Sequence, residues 1–175
     1  TASGIPKTER PTNAPVIETK LSSIKGDISV YSPTKGGDKM EGGYPSSVAG
    51  PDGKFLVRTV YGYVKGNSDY ITIAGNPAYY GRSYIIPSMP YEDPATGKRK
   101  ELINVRAVVH DTGGAFKTVP EGRFDIPLGK DLNNKQMASY HGLLNEFGVE
   151  FVREINKDGD TIEFTLGEPG EIGPK

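Results

Sequence analysis

The amino-acid sequence predicts an all-β barrel with one helix packed on it. Three observations predict this. The 175 residues include 23 glycines and 14 prolines, so turn signals recur along the chain. Apolar residues gather in short alternating runs, as in half-buried strands. A single segment, residues 133–147, instead repeats Met137, Tyr140, Leu144 and Phe147 at helical spacing. No strand–helix–strand alternation and no solenoid period is present.

Taken in order, residues 1–19 carry Pro6, Pro11 and Pro15 among polar residues and read as an extended arm. Two readings of the arm stand: a disordered tail, or an arm gripping its own barrel or a neighbouring subunit. Residues 21–31 predict one short strand, with Ile28 and Val30 on one face. Residues 32–53, with Gly36-Gly37, Gly42-Gly43 and Pro51-Asp52-Gly53, form a long turn-rich loop. An N-terminal arm and loop, 1–48, thus precedes a domain at 49–167, and a polar tail follows at 168–175.

Within the domain, residues 55–64 predict a strand with Phe55, Val57, Thr59, Tyr61 and Tyr63 on one face and Arg58 on the other. Further strands are expected at 69–74, where Ile71 and Ile73 share a face, and at 83–88. Residues 91–100 read as a polar hairpin tip. Residues 102–111 are the central strand, with Val105, Ala107, Val109 and Asp111 along its core-facing row. His110 then points to the other face and reads as a surface histidine. His141, on the helix, reads as a packing or surface residue. Asn133 or Asn134 can cap the helix, and Gly148 closes it. Residues 149–155 and 161–166 predict a terminal hairpin turning at Lys157-Asp158-Gly159, with Ile162, Phe164 and Leu166 on its buried face.

Composition narrows the chemistry. The net charge is −1, which offers nothing to hold a polyanion, so no nucleic-acid partner is expected. No run of eighteen apolar residues occurs, so no membrane-spanning helix is expected. The absence of cysteine excludes disulfides and thiolate chemistry. With two histidines, no His-rich metal site can form, and neither a metal nor a cofactor is expected.

The candidate chemistry gathers after the central strand. Asp111-Thr112-Gly113-Gly114-Ala115-Phe116-Lys117 is followed by Arg123-Phe124-Asp125, which sets two carboxylates fourteen positions apart. Adjacent glycines after a strand mark a turn or a close approach to the backbone. Two carboxylates at the ends of short β segments suit an acid/base site. A purely structural reading also stands: Asp111 caps the turn and Asp125 pairs with Arg123 or Lys117.

This pair of segments resembles the signature of the 3D domain. That domain is shared by membrane-bound lytic transglycosylase A and by secreted or phage-borne wall-active proteins. The resemblance spans roughly residues 55–155. It implies a six-stranded double-psi β-barrel, which the extended N-terminal arm precedes, a place of action outside the cytoplasm or on a virion, peptidoglycan or a related glycan as partner, and cleavage of its glycan strands. It also implies that Asp125 is the acid/base and Asp111 its charged neighbour. Gly113 and Gly114 would let the glycan approach the backbone, and Lys117 and Arg123 would hold carboxylates of muramic acid or its peptide. Where the family usually has its first aspartate this chain has Asn76, which cannot ionise, and residues 118–122 make the connector between the motif halves longer than the family's. Seven of the ten tyrosines fall between Tyr61 and Tyr91, so Tyr63, Tyr79, Tyr80 and Tyr84 are candidates to line a saccharide groove. Two alternatives remain: a non-catalytic glycan-binding barrel, and a structural barrel in a virion or other assembly.

Overall fold

The computed structural model describes residues 23–32, 57–112 and 114–163. The expected arm at 1–19, most of the loop at 32–53 and the tail at 168–175 lie outside these residues. So do Phe55, Phe164 and Leu166.

The described chain is mostly β. Its strands are β1 (Ser23–Lys25), β2 (Asp27–Tyr31), β3 (Ile71–Ala74), β4 (Ser83–Glu92), β5 (Arg99–Asp111), β6 (Arg123–Pro127) and β7 (Glu150–Arg153), joined by helices α1 (Val60–Val64) and α2 (Asn134–Phe147). All seven strands belong to one sheet, in the order β1-β7-β4-β5-β3-β6-β2. That is one strand more than the six expected.

The segment at 21–31 is two strands rather than one, and Arg123–Pro127 adds another between β3 and β2. β1 and β2 lie at opposite ends of the sheet: β1 pairs with β7, and β2 runs parallel to β6. Gly26 alone separates them, so the chain steps from one sheet edge to the other in a single residue. The sheet is thereby curled into a nearly closed barrel. Both sides of the step are fastened. The Gly26 N–H donates to Val149 O at 2.9 Å, and the Asp27 N–H donates to Gly122 O at 2.9 Å. Glycine is required here by space. A Cβ at position 26 would lie 2.7 Å from the Phe151 ring and 2.9 Å from Ile28 Cδ1. Gly122 faces the same step with φ +104°, and a Cβ there would lie 2.7 Å from Ile24 Cγ2.

The barrel interior is a continuous core. Tyr84, Phe124 and Phe151 form an aromatic cluster with ring centroids 4.9–6.1 Å apart. Ile71, Ile73, Ile86, Val105, Ala107, Val109 and Ile126 surround it, all fully buried. The helix forms as its pattern predicts. Asn133 and Gln136 make a reciprocal capping box, and Gly148 ends the helix at φ +78°. Tyr140 and Leu144 bury its apolar face against the sheet, and the Tyr140 hydroxyl donates to Pro90 O at 2.7 Å. Phe147 ends the same stripe but stays 45% exposed. His141 is an exposed residue whose Nε2 donates to Ile28 O at 3.0 Å, within the expected packing or surface role.

Three expectations are corrected. The segment at 55–64 is not a strand where it is described: residues 57–59 are extended, and Val60–Val64 is a short helix capped by the Thr59 hydroxyl. Val60, Tyr63 and Val64 also fit helical spacing, and Thr59 is a good N-cap. The strand at 83–88 continues to Glu92, because its polar end pairs with Arg99–Leu102 across the hairpin. His110 is 1% exposed rather than at the surface, with Tyr70 edge-on to its ring at 5.9 Å. The terminal hairpin is present as a single bridge, Ile155 to Thr161.

The barrel's outer face also buries charge, and it does so in pairs. Arg106 and Glu154, 2% and 0% exposed at their side chains, meet through two N–H···O bonds of 2.8 and 2.9 Å, and Ser83 donates to the same carboxylate. Bidentate geometry offsets the desolvation of both ions.

Gly26→Ala tests the closure. The added methyl has no space, so we expect a loss of about 1–3 kcal/mol in urea unfolding, the usual range for overpacking. Wild-type stability in this variant would mean that the step between β1 and β2 relaxes freely.

Candidate functional site: two carboxylates flanking one strand

β3 is the element that brings the motif halves together. Ala74 at its end pairs with Asp111 of β5 on one side and with Asp125 of β6 on the other. The step from Ile73 to Ala74 is matched on β5 by the longer step from Val109 to Asp111, so His110 is the additional residue of a bulge. The bulge breaks the strict alternation expected along residues 105–111 and sets Asp111 level with Ala74. Two strand spacings separate the backbones of Asp111 and Asp125, about 9–10 Å in a flat sheet.

Their environments differ. Asp111 is 1% exposed, whereas Asp125 is half-buried. Both are held from β2. Ser29 lies opposite Asp125, and its hydroxyl donates to Asp125 Oδ1 at 3.0 Å. Tyr31, two residues along the same face, donates its hydroxyl to Asp111 Oδ2 at 2.9 Å. The Thr112 N–H donates to Asp111 Oδ1 at 2.8 Å, so the expected turn-capping role of Asp111 is also present. Ser29 and Tyr31 are site residues that sequence reasoning missed. Their polarity opposite Ile28 and Val30 was visible, but nothing local says that β2 lies beside β6.

The other expected site residues divide into two groups. Near the pair stand Arg123, Tyr80 and the turn after Asp111. Burial, with the negative charge of Asp111 nearby, raises the Tyr80 phenol above its ordinary value. Gly114 opens the 3-10 turn Gly114–Phe116, Lys117 follows it exposed, and Gly113 lies outside the described residues. Tyr79 is half-buried, with the Arg82 guanidinium 5.0 Å above its ring. Tyr63 and Tyr84 do not line a groove: they are 5% and 0% exposed and belong to the core. Arg123 is not directed outward as a carboxylate clamp. Its Nη1 donates to Ser29 Oγ at 3.0 Å, and its guanidinium lies 5.0 Å over the Phe116 ring.

The connector is anchored at two points. Asn76 Nδ2 donates to Val119 O at 2.8 Å, while Asn76 Oδ1 accepts from the Ala78 N–H at 2.9 Å. An ionised aspartate would accept from Ala78 but could not donate to Val119. Glu121 accepts from the Tyr84 hydroxyl at 2.6 Å, from Arg82 at 3.3 Å and from Arg153 through two nitrogens. Burial works against its ionised form. The bonds from Arg153 and Tyr84 and the charges of Arg153 and Arg82 outweigh it, so the carboxyl titrates below the ordinary glutamate value. Glu121 was also missed, because its three partners come from distant parts of the chain.

Among the described residues no group of three His, Cys, Asp or Glu side chains converges as a metal site. No described helix is long and apolar enough to cross a membrane. A cavity of 490 Å³ lies elsewhere, between Tyr61, the loop Gly129–Leu132, the hairpin tip at Pro94 and Gln136, and neither aspartate lines it. Comparison with known proteins finds no family model, no curated protein and no solved structure that matches this chain. The site is therefore defined by its geometry: a carboxylate pair at the end of a barrel strand, one member buried and one accessible.

Two measurements test this site. Tyr31→Phe removes a donor from a buried carboxylate and should cost about 1–3 kcal/mol in chemical unfolding. Glu121 carries its partners only when ionised, and its folded value is depressed. Its stabilisation is therefore complete above the unfolded glutamate value of 4.5 and is lost as the pH falls below it. Glu121→Gln should lower Tm at neutral pH and flatten its fall below about pH 4.5; an unchanged acid limb would show that the network carries no linkage.

Proposed function

We propose that this chain cleaves peptidoglycan glycan strands as a lytic transglycosylase does, on a barrel of the double-psi type, outside the cytoplasm or on a phage particle. Asp125 is the acid/base in this reading. The observation that carries it is the shared level of the two motif carboxylates: both register with Ala74, and both are held by hydroxyls from one face of β2.

A lytic transglycosylase needs one carboxyl group that works twice. Protonated Asp125 gives its proton to the glycosidic oxygen as the bond to C1 breaks and positive charge develops on the sugar ring. The C6 hydroxyl of the same sugar then attacks C1 and returns a proton to the Asp125 carboxylate, closing an anhydro ring. No water is activated, so the second carboxylate that a hydrolase requires is dispensable. Half-buried Asp125 is the member that can meet a substrate. Asp111, 1% exposed, acts through its charge, which disfavours ionisation of its neighbour and favours the developing cation. Acid–base assistance accounts for about 10²–10⁴-fold, and the rest comes from positioning and electrostatics. Tyr79, Tyr80, Lys117 and the backbone at Gly113 and Gly114 are the proposed glycan contacts.

A second reading, a non-catalytic glycan-binding or structural barrel, is favoured by Asn76. Where the resembled motif has its first aspartate, this side chain is committed to the connector and the following turn.

Mass spectrometry of products from purified peptidoglycan separates the readings. We expect anhydro-muropeptides from the wild type and a loss of about 10²-fold or more with Asp125→Asn. Reducing-end products that vanish in the variant would make the chain a hydrolase. No soluble product from the wild type between roughly pH 4 and 8 would leave the second reading.

A further inference from the structure

We propose that Arg123 and Ser29 form a hydrogen-bonded relay that sets the proton affinity of Asp125, and with it the pH range in which the site works. This rests on the reading of Asp125 as acid/base. Arg123 stands two residues before Asp125 on β6, so both side chains leave the same face, and Ser29 of β2 lies directly opposite Asp125. Arg123 Nη1 is 3.0 Å from Ser29 Oγ, and Ser29 Oγ is 3.0 Å from Asp125 Oδ1. A guanidinium can only donate. The serine oxygen therefore accepts from Arg123, and its own proton turns to Asp125. Arg123 is itself held in place, over the Phe116 ring at 5.0 Å and against the carbonyl oxygens of Asp27 and Phe124 at 3.3 and 3.2 Å. The relay thus presents to one oxygen of the acid a hydroxyl polarised by a fixed cation. Arg123 and Ser29 are positioning residues, and Asp125 remains the group that meets the substrate.

The surrounding charges define the balance. On β2, Asp27 lies 4.0 Å from Arg123 Nε but is 85% exposed, so water screens it, and Tyr31 is occupied with Asp111. β3 contributes only Ala74 at this level, with Asp111 of β5 beyond it, and Lys117 is exposed to solvent. Asp111 therefore favours the protonated form of Asp125, and the relay favours the ionised form. A donor that stabilises the carboxylate lowers the pH at which the acid loses its proton. An acid that must begin protonated then works on the acidic side of neutrality. Removing the donor moves the alkaline limb of activity upward.

The test is a ¹³C-carboxyl NMR titration of Asp125 in the full chain, for the wild type and for Ser29→Ala, Ser29→Thr and Arg123→Gln, with circular dichroism as the check on folding. We expect Ser29→Ala to raise the Asp125 midpoint by about one pH unit. Arg123→Gln should raise it by a smaller amount, and Ser29→Thr, which keeps the hydroxyl, should return it to within a few tenths of the wild type. The alkaline limb of glycan cleavage should follow the same order. A midpoint unmoved in Ser29→Ala, or moved equally in Ser29→Thr, overturns the relay. Should Ser29→Ala fail to fold, an unmoved midpoint in Arg123→Gln overturns it alone. The titration needs no cleavage, so a wild type that titrates as expected but yields no product refutes the acid/base reading and leaves the relay standing.

Discussion

The architecture depends on one residue-wide passage of backbone. At Gly26 the chain leaves the β1–β7 edge of the sheet and joins the β2–β6 edge. The passage fits because no side chain occupies the space already filled by the Phe151 ring and Ile28. Bonds from Gly26 to Val149 and from Asp27 to Gly122 fasten it on both sides. An open seven-stranded sheet would leave two unpaired edges, which proteins must otherwise protect. Curling the sheet around Tyr84, Phe124 and Phe151 brings those edges together and buries the aromatic cluster in the same act.

The site is a consequence of that closure. β2 reaches β6 only because the chain crosses at Gly26, and β2 supplies both Ser29 and Tyr31. Each gives its carboxylate a hydroxyl donor in place of water, a bond worth about 1–3 kcal/mol to a charged group. The same economy governs Glu154 with Arg106, and Glu121 with Arg82 and Arg153. In both networks the donors come from parts of the chain tens of residues away from the carboxylate. Asn76 and Glu121 extend this to the connector, so the loop between the motif halves is tied to the barrel at both ends. The position of Asp125 is thus set by the barrel and by its connector together.

How much of this was legible differs by element. The helix was read closely because its signals are local: a capping asparagine, a 3.6-residue stripe and a terminal glycine. β5 was read because Val105, Ala107, Val108 and Val109 make a short Val-rich apolar stretch with alternation around Arg106. The segment at 55–64 was misread because alternating apolar residues with Val60, Tyr63 and Val64 among them satisfy two periods at once. His110 and Asp111 were assigned opposite fates by simple alternation, and the bulge buried both. Of the expected site residues, Asp111 and Asp125 flank one strand, whereas Tyr63 and Tyr84 turned inward and Arg123 became part of the scaffold.

The sequence by itself determined the β class, the helix, the core-facing positions of β3 and β5 and the two aspartates, because each of these is written in residue types and spacings within some fifteen positions of one another. Only the tertiary structure decided that β1 and β2 are separate edges, that both aspartates lie level with Ala74, and that Ser29, Tyr31, Arg123 and Glu121 hold the site. These follow from pairings between residues as many as 129 positions apart, as Ser23 and Val152 are. No local pattern encodes such a pairing, because its register is set by how the whole sheet twists and closes around its core.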